Sequence, residues 1–168
     1  AISLMPTNLY GPKDNYHPNN SHVMASLISK FSNASLRNER KVICWGSGKP
    51  MREFMHVDDL ADAVIYTLEY WDPNAKNAPS DQQGQKLTYL NVGTGKDISI
   101  KELSKKIAKA SNFNGEIIWD QNKPDGVPKK QLDVSRINSL GWKSKIDLDS
   151  GINNTVKEYQ EIIFNIKK

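Results

Sequence analysis

One window, from Trp45 to Asp59, constrains this chain more than any other. It reads Trp-Gly-Ser-Gly-Lys-Pro-Met-Arg-Glu-Phe-Met-His-Val-Asp-Asp. Val42 to Trp45 is strand-like, and Gly46 to Pro50 carries the residues of a tight turn. Arg52 to Val57 alternates polar and apolar side chains, as a second strand does, and Asp58 can cap the helix that follows. A strand–turn–strand–helix unit of this kind presents Trp45 and Arg52 from anchored backbone. An aromatic face beside a forked cation suits a planar base and a phosphate. A core tryptophan and a solvated arginine account for the same two residues equally well.

Around this window, strand and helix patterns alternate, which predicts an α/β fold. Ala1 to Met5 reads as a strand, broken by Pro6 into a loop that runs through Asn20. Ser21 can cap a helix from about His22 to Ala34, with Val23, Leu27, Ile28 and Phe31 at core-facing spacing. Leu60, Ala61, Val64, Ile65 and Leu68 mark an amphipathic helix from about Asp59 to Trp71. Residues 72–86 are polar and read as an exposed loop. Tyr89 to Val92 is a short strand, and Gly93-Thr94-Gly95 turns the chain. Ser99 and Glu102 have the spacing of a capping box for a helix to about Ser111. Glu116 to Trp119 is a strand, 123–128 a rigid loop, and helices follow near 135–140 and 150–163.

With 168 residues the chain is long enough for a substantial core. No apolar run is long enough for a membrane span, and no signal peptide is apparent. The formal net charge of +4 comes from lysines and arginines scattered along the sequence, so no nucleic-acid surface is expected. The single cysteine, Cys44, lies in a strand-like run and reads as a buried, inert thiol. It fits a reducing, cytoplasmic setting. The chain does not begin with methionine and opens on a strand, the expectation for a fragment whose upstream partners are missing.

No complete catalytic set is present. Gly93-Thr94-Gly95 lacks the third glycine of a dinucleotide fingerprint, where Ile98 stands, and reads as a structural turn. None of the six tyrosines has a lysine four positions on. His22, at a helix start, suits a general acid/base or a donor to a bound oxygen; a surface or capping histidine is the plainer reading. His17, His22 and His56 show no metal-ligand spacing, so no metal is expected. Asn8 follows the first strand, where ligands of open α/β sheets bind, but is also a common turn residue. Asp125 can hold a sugar hydroxyl or shape a turn.

Pro6-Thr7-Asn8-Leu9-Tyr10-Gly11-Pro12, Asn20-Ser21-His22, the 45–59 window, Asn91-Val92-Gly93-Thr94-Gly95 and Lys123-Pro124-Asp125-Gly126 occur together. In this combination the chain closely resembles the C-terminal half of the GDP-L-fucose synthases. These are NADP-dependent 3,5-epimerase/4-reductases of the extended short-chain dehydrogenase/reductase family. The resemblance implies the C-terminal part of a Rossmann-type fold plus a small α/β substrate-binding domain. Residues 1–20 and 52–95 would complete the former, and 21–51 and 96–168 would mainly build the latter. It implies that Pro6, Thr7, Asn8, Leu9 and His22 contact NADP(H), with His22 also the acid/base partner in epimerisation. Lys30, Trp45, Arg52 and Asp125 would bind the GDP-sugar. Lys30 stands where family members often carry arginine, keeping the charge without the bidentate fork.

The upstream half in that family carries the Gly-rich fingerprint, the catalytic serine, the tyrosine–lysine pair and an epimerising cysteine. The isolated chain is therefore expected to have no reductase activity. Homodimers are implied for full-length family members, through helices this chain lacks. Another nucleotide-sugar epimerase or dehydratase and a non-catalytic nucleotide-sugar-binding module are the alternatives.

Overall fold

The computed structural model describes residues 1–18 and 20–166. Asn19, inside the predicted 6–20 loop, lies outside them. In chain order the elements are β1 (Ser3–Pro6), β2 (Asn8–Tyr10), α1 (Val23–Leu36), β3 (Lys41–Trp45), β4 (Met51–His56), α2 (Val57–Tyr70) and β5 (Tyr89–Val92). Then come β6 (Asp97–Ser99), α3 (Ile100–Ala110), β7 (Glu116–Asp120), β8 (Lys129–Lys130), α4 (Ser135–Ser139) and α5 (Leu148–Ile166). The fold is α/β, with parallel pairing of β1 with β5, β2 with β4, and β3 with β7.

The chain changes sheets at Thr7. Pro6 is in register with Val92, whereas Asn8 is in register with Phe54. The sequence reading placed 6–20 in a loop; the structure corrects this, because Asn8–Tyr10 find a partner in β4 that is distant in sequence. β6 and β8, both three residues or fewer, also went unread. Each exists only by pairing along β4, β6 antiparallel and β8 parallel.

Two apolar clusters hold the elements together. One joins Tyr10, the α1 residues Met24, Leu27, Ile28 and Phe31, and Val42 and Cys44 of β3 to Leu103, Ile107, Ile152 and Val156 from α3 and α5. The other joins Met55, Ala63, Trp71, Leu90 and Val92 to Val134, Ile137 and Trp142. β4 feeds both, Phe54 entering the first and Met55 the second, as period-two alternation requires. Residues 134–142 thus pack against α2 and β5. Trp142 Nε1 donates to Asp62 at 2.7 Å, and Asp59 accepts the amides of Lys145 and Ile146 at 3.1 Å each.

Local signals explain several boundaries. Ser99 and Glu102 form the capping box, with Glu102 N donating to Ser99 Oγ at 3.1 Å and the carboxylate returning to the cap. Two caps differ from expectation. His22, not Ser21, is the N-cap of α1 and makes no side-chain cap bond. α2 begins at Val57 with His56 as its cap, its Nδ1 accepting Asp58 N at 3.2 Å, so Asp58 is inside the helix. Val23 is exposed, and Met24 takes the inward position. On α2 the inward face is Asp59, Ala63 and Thr67, while Ile65 and Leu68 are 58% and 70% exposed.

Candidate functional site

β3 alternates strictly: Val42 and Cys44 enter the core, so Lys41, Ile43 and Trp45 point outward. Trp45 is 66% exposed, which excludes the core reading of its indole. Two ammonium groups lie over its ring, Lys30 Nζ at 5.4 Å and Lys123 Nζ at 5.2 Å from the centroid. Lys30 Nζ also donates to Ile43 O at 3.1 Å, which holds it beside β3.

The turn after Trp45 is built by glycine and closed by a carboxylate. Gly46 and Gly48 have φ of 76° and 74°, the left-handed region that glycine adopts without strain. Asp125 accepts Ser47 N at 2.8 Å through Oδ1 and Ser47 Oγ at 2.6 Å through Oδ2. A Cβ on Gly46 would collide with Asp125 Oδ1. The Ser47 hydroxyl and amide hold the Asp125 carboxyl below the usual carboxylate range. The turn reading of Asp125 is thus realised, and the same bonds fix it at the site's rim.

Arg52 follows on β4. Its Nη1 donates to Met51 O at 2.8 Å and to Val127 O at 2.6 Å, aiming the guanidinium while leaving further N–H donors for a ligand. Trp45, Pro50, Arg52, Pro124 and Asp125 line one cleft of about 210 Å³, together with Val23 and Ile100. Three of the four residues predicted for the substrate therefore converge there, and Lys30 adjoins it through Trp45. Val23 follows His22 directly, so the N-terminus of α1 lies at the cleft's edge. His22 itself is exposed.

Pro6, Thr7, Asn8 and Leu9 form a separate group at the carboxyl end of β1, where the chain switches sheets. Thr7 Oγ1 and Asn8 Nδ2 both donate to the carbonyl of Glu53, at 3.2 and 2.7 Å. Glu53 is fully buried and was not singled out from sequence. Its Oε1 accepts Thr94 N at 2.7 Å and Gly95 N at 2.9 Å, and its Oε2 accepts Leu132 N at 2.8 Å. Glu53 leaves no sequence signal, since the partners of its carboxylate are backbone amides 41–79 residues away.

A larger cavity, about 810 Å³, lies elsewhere, between Phe54, Ile98 and Leu148 with Lys96, Lys105 and Lys145 at its walls. None of the predicted site residues lines it. Cys44 is buried, and burial pushes its thiol up from the usual range, the opposite of an activated nucleophile. Among the described residues no group of three or more His, Cys, Asp or Glu could hold a metal, and no helix is long and apolar enough to cross a membrane.

Residues 1–78 match the NAD dependent epimerase/dehydratase family. Over its full length the chain is 45% identical to 47% of the probable GDP-L-fucose synthase 1 of Oryza sativa subsp. japonica. Over 95% of its length it is 46% identical to 48% of the GDP-L-fucose synthase of Escherichia coli (strain K12). Residues 1–78 of the chain thus resemble that family, and the chain as a whole resembles the C-terminal half of the GDP-L-fucose synthases. It spans about half the length of the curated relatives it matches, aligning with their C-terminal half. The crystal structure of a GDP-L-fucose synthetase from Naegleria fowleri bound to NADP superposes on 99% of the chain and 49% of its own length. Its TM-score is 0.81 at 26% identity. The Gly93–Gly95 turn is closed by the chain's own Glu53 carboxylate, which takes the Thr94 and Gly95 amides, and β6 follows it before any helix, so those two amides are not offered to a ligand phosphate.

Proposed function

We propose that this chain supplies the GDP-binding side of an NADP(H)-dependent enzyme that epimerises and reduces GDP-4-keto-6-deoxy-D-mannose to GDP-L-fucose. The carrying observation is the convergence of an exposed indole, a pre-aimed guanidinium and a fixed carboxylate on one cleft. Trp45 stacks the base, Arg52 and Lys30 neutralise the diphosphate, and Asp125 accepts a sugar hydroxyl. A forked cation held at one edge by Met51 O and Val127 O meets phosphate with little ordering cost.

In this reading, 1–20 and 52–95 belong to the dinucleotide-binding part and 21–51 and 96–168 mainly to the substrate part. The second apolar cluster supports the first part, with 134–142 added to its core, while Tyr10 and Phe54 of that part pack into the other cluster with α1, α3 and α5. Pro6 to Leu9 fit the nicotinamide end of NADP(H). They sit beyond the carboxyl end of β1, where the chain passes from the β1–β5 sheet to the β2–β4 sheet and where open sheets bind ligands, and Thr7 and Asn8 are held there by the Glu53 carbonyl. Bound NADP(H) supplies the hydride for reduction. His22, exposed at the start of α1 beside the cleft, is the acid/base partner that returns or removes a proton next to the sugar ketone. Catalysis belongs to a protein that also carries the upstream half of the relatives, acting in the cytoplasm as a homodimer.

Calorimetric titration of the chain with GDP and with UDP tests the site. GDP binding that is stronger than UDP binding and abolished by W45A supports it. Equal affinity for both nucleotides, untouched by W45A, would count against it. His22→Ala in a complete enzyme tests the catalytic role, which fails if epimerisation and reduction both survive unchanged.

A further inference from the structure

Glu53 carries more of the fold's wiring than any other side chain near the site. Its carboxylate takes three backbone N–H bonds, from Thr94, Gly95 and Leu132. Its carbonyl takes Thr7 and Asn8. It is 0% exposed, and the Gly93 backbone lies so close that a Cβ there would strike Oε1. A second tie runs parallel to the first, Gln131 Nε2 donating to Gly95 O at 2.6 Å.

The Leu132 end of this clamp terminates the segment that builds the cleft's outer wall. From Pro124 to Leu132 that segment contributes Asp125, which fixes the Ser47 turn, and Val127 O, which aims Arg52. Lys129 and Lys130 then pair with Met51 and Arg52. Glu53 is the next residue on β4. One side chain thus anchors the far end of the wall, while its own backbone neighbour is the guanidinium that the wall orients.

We propose that Glu53 is a positioning residue for the nucleotide cleft: its carboxylate holds segment 124–132 in the register that aims Arg52 and Asp125. This rests on the GDP-site reading above. Because the anchor is a carboxylate facing N–H donors on both oxygens, an isosteric amide cannot replace it. Glutamine offers one oxygen and one NH2 group, so it keeps either the Thr94–Gly95 arm or the Leu132 arm. The oxygen goes to the two-donor side, and Leu132 N–H is left facing another donor.

The test is E53Q in the full 168-residue chain, read by amide hydrogen exchange and by GDP titration. Expected are faster exchange at Leu132 and, at a distance, at Ser47, with Thr94 and Gly95 still protected. GDP binding should weaken about tenfold, as loss of a hydrogen bond to a charged acceptor implies. Unchanged Ser47 exchange and GDP affinity within twofold, with only the melting temperature lowered, would reduce Glu53 to a purely structural role and overturn the proposal.

If E53Q does not fold, the unaltered chain decides. By reciprocity GDP must then raise protection at Leu132 as well as at Ser47. Protection confined to Ser47 overturns the proposal. Failure of GDP to bind the unaltered chain would remove the functional reading, while Ser47 exchange in E53Q still reports whether Glu53 positions the wall.

Discussion

Arg52 shows how a single residue's environment sharpens its role. Two carbonyls hold its Nη1, so the side chain is ordered before any ligand arrives, and a lysine satisfying both would keep a single N–H for a ligand in place of the remaining planar fork. Arg52→Lys is expected to weaken GDP binding about tenfold while leaving guanosine binding unchanged. Titration of the two ligands separates phosphate from base, and equal weakening of both would place Arg52 at the base instead. Trp45 was ambiguous from sequence because indoles occur both in cores and at binding surfaces. The alternation of β3 decides the matter by burying Val42 and Cys44, which turns Trp45 out.

Among the elements, α3 was the most legible, because its cap signals are local and its apolar spacing is regular. Ser99→Ala should destabilise the fold by about 1 kcal/mol, read as a lower urea midpoint at unchanged slope, since it removes the capping bond to Glu102 N. β2, β6 and β8 were illegible for the opposite reason. They are stabilised by β4 and not by their own sequence. The start of α2 was misplaced because a histidine ring nitrogen does the capping that Asp58 was expected to do.

For the whole molecule, carboxylates dominate the acid response. Hydrogen bonds hold Asp62, Glu102, Asp125, Asp133 and Asp147 below the usual range. A depressed folded pKa means the stabilisation is present above the unfolded value of about 4 and is lost as pH falls through the folded value. These groups are largely exposed, so each contributes little. The melting temperature should therefore hold its carboxylate contribution down to about pH 5 and decline below it. At the other extreme, burial pushes the Tyr10 and Tyr16 hydroxyls up, so stability should be lost as pH rises beyond about 10. Melting curves from pH 3 to 11 check both signs. The exposed apolar stripe of α2, with Met5 and Tyr89 54% and 50% exposed, agrees with a chain that works alongside further sequence. No NADPH oxidation by the isolated chain is expected with GDP-4-keto-6-deoxymannose; turnover in a stopped-flow absorbance assay would refute that.

The amino-acid sequence by itself determined the α/β alternation and the strand–turn–strand window, because periodicity, glycine turns and cap spacing act within a few residues; it offered Trp45 and Arg52 as a candidate pair, whereas Lys30 and the ligand reading of Asp125 came only through the family resemblance. Tertiary structure alone decided that Trp45 faces out, that Asn8–Tyr10 form a strand, and that Glu53 ties residues 7, 94 and 132 together. Those outcomes depend on backbone groups far apart in the chain, and a backbone amide has the same chemistry at every position until folding brings one to a carboxylate.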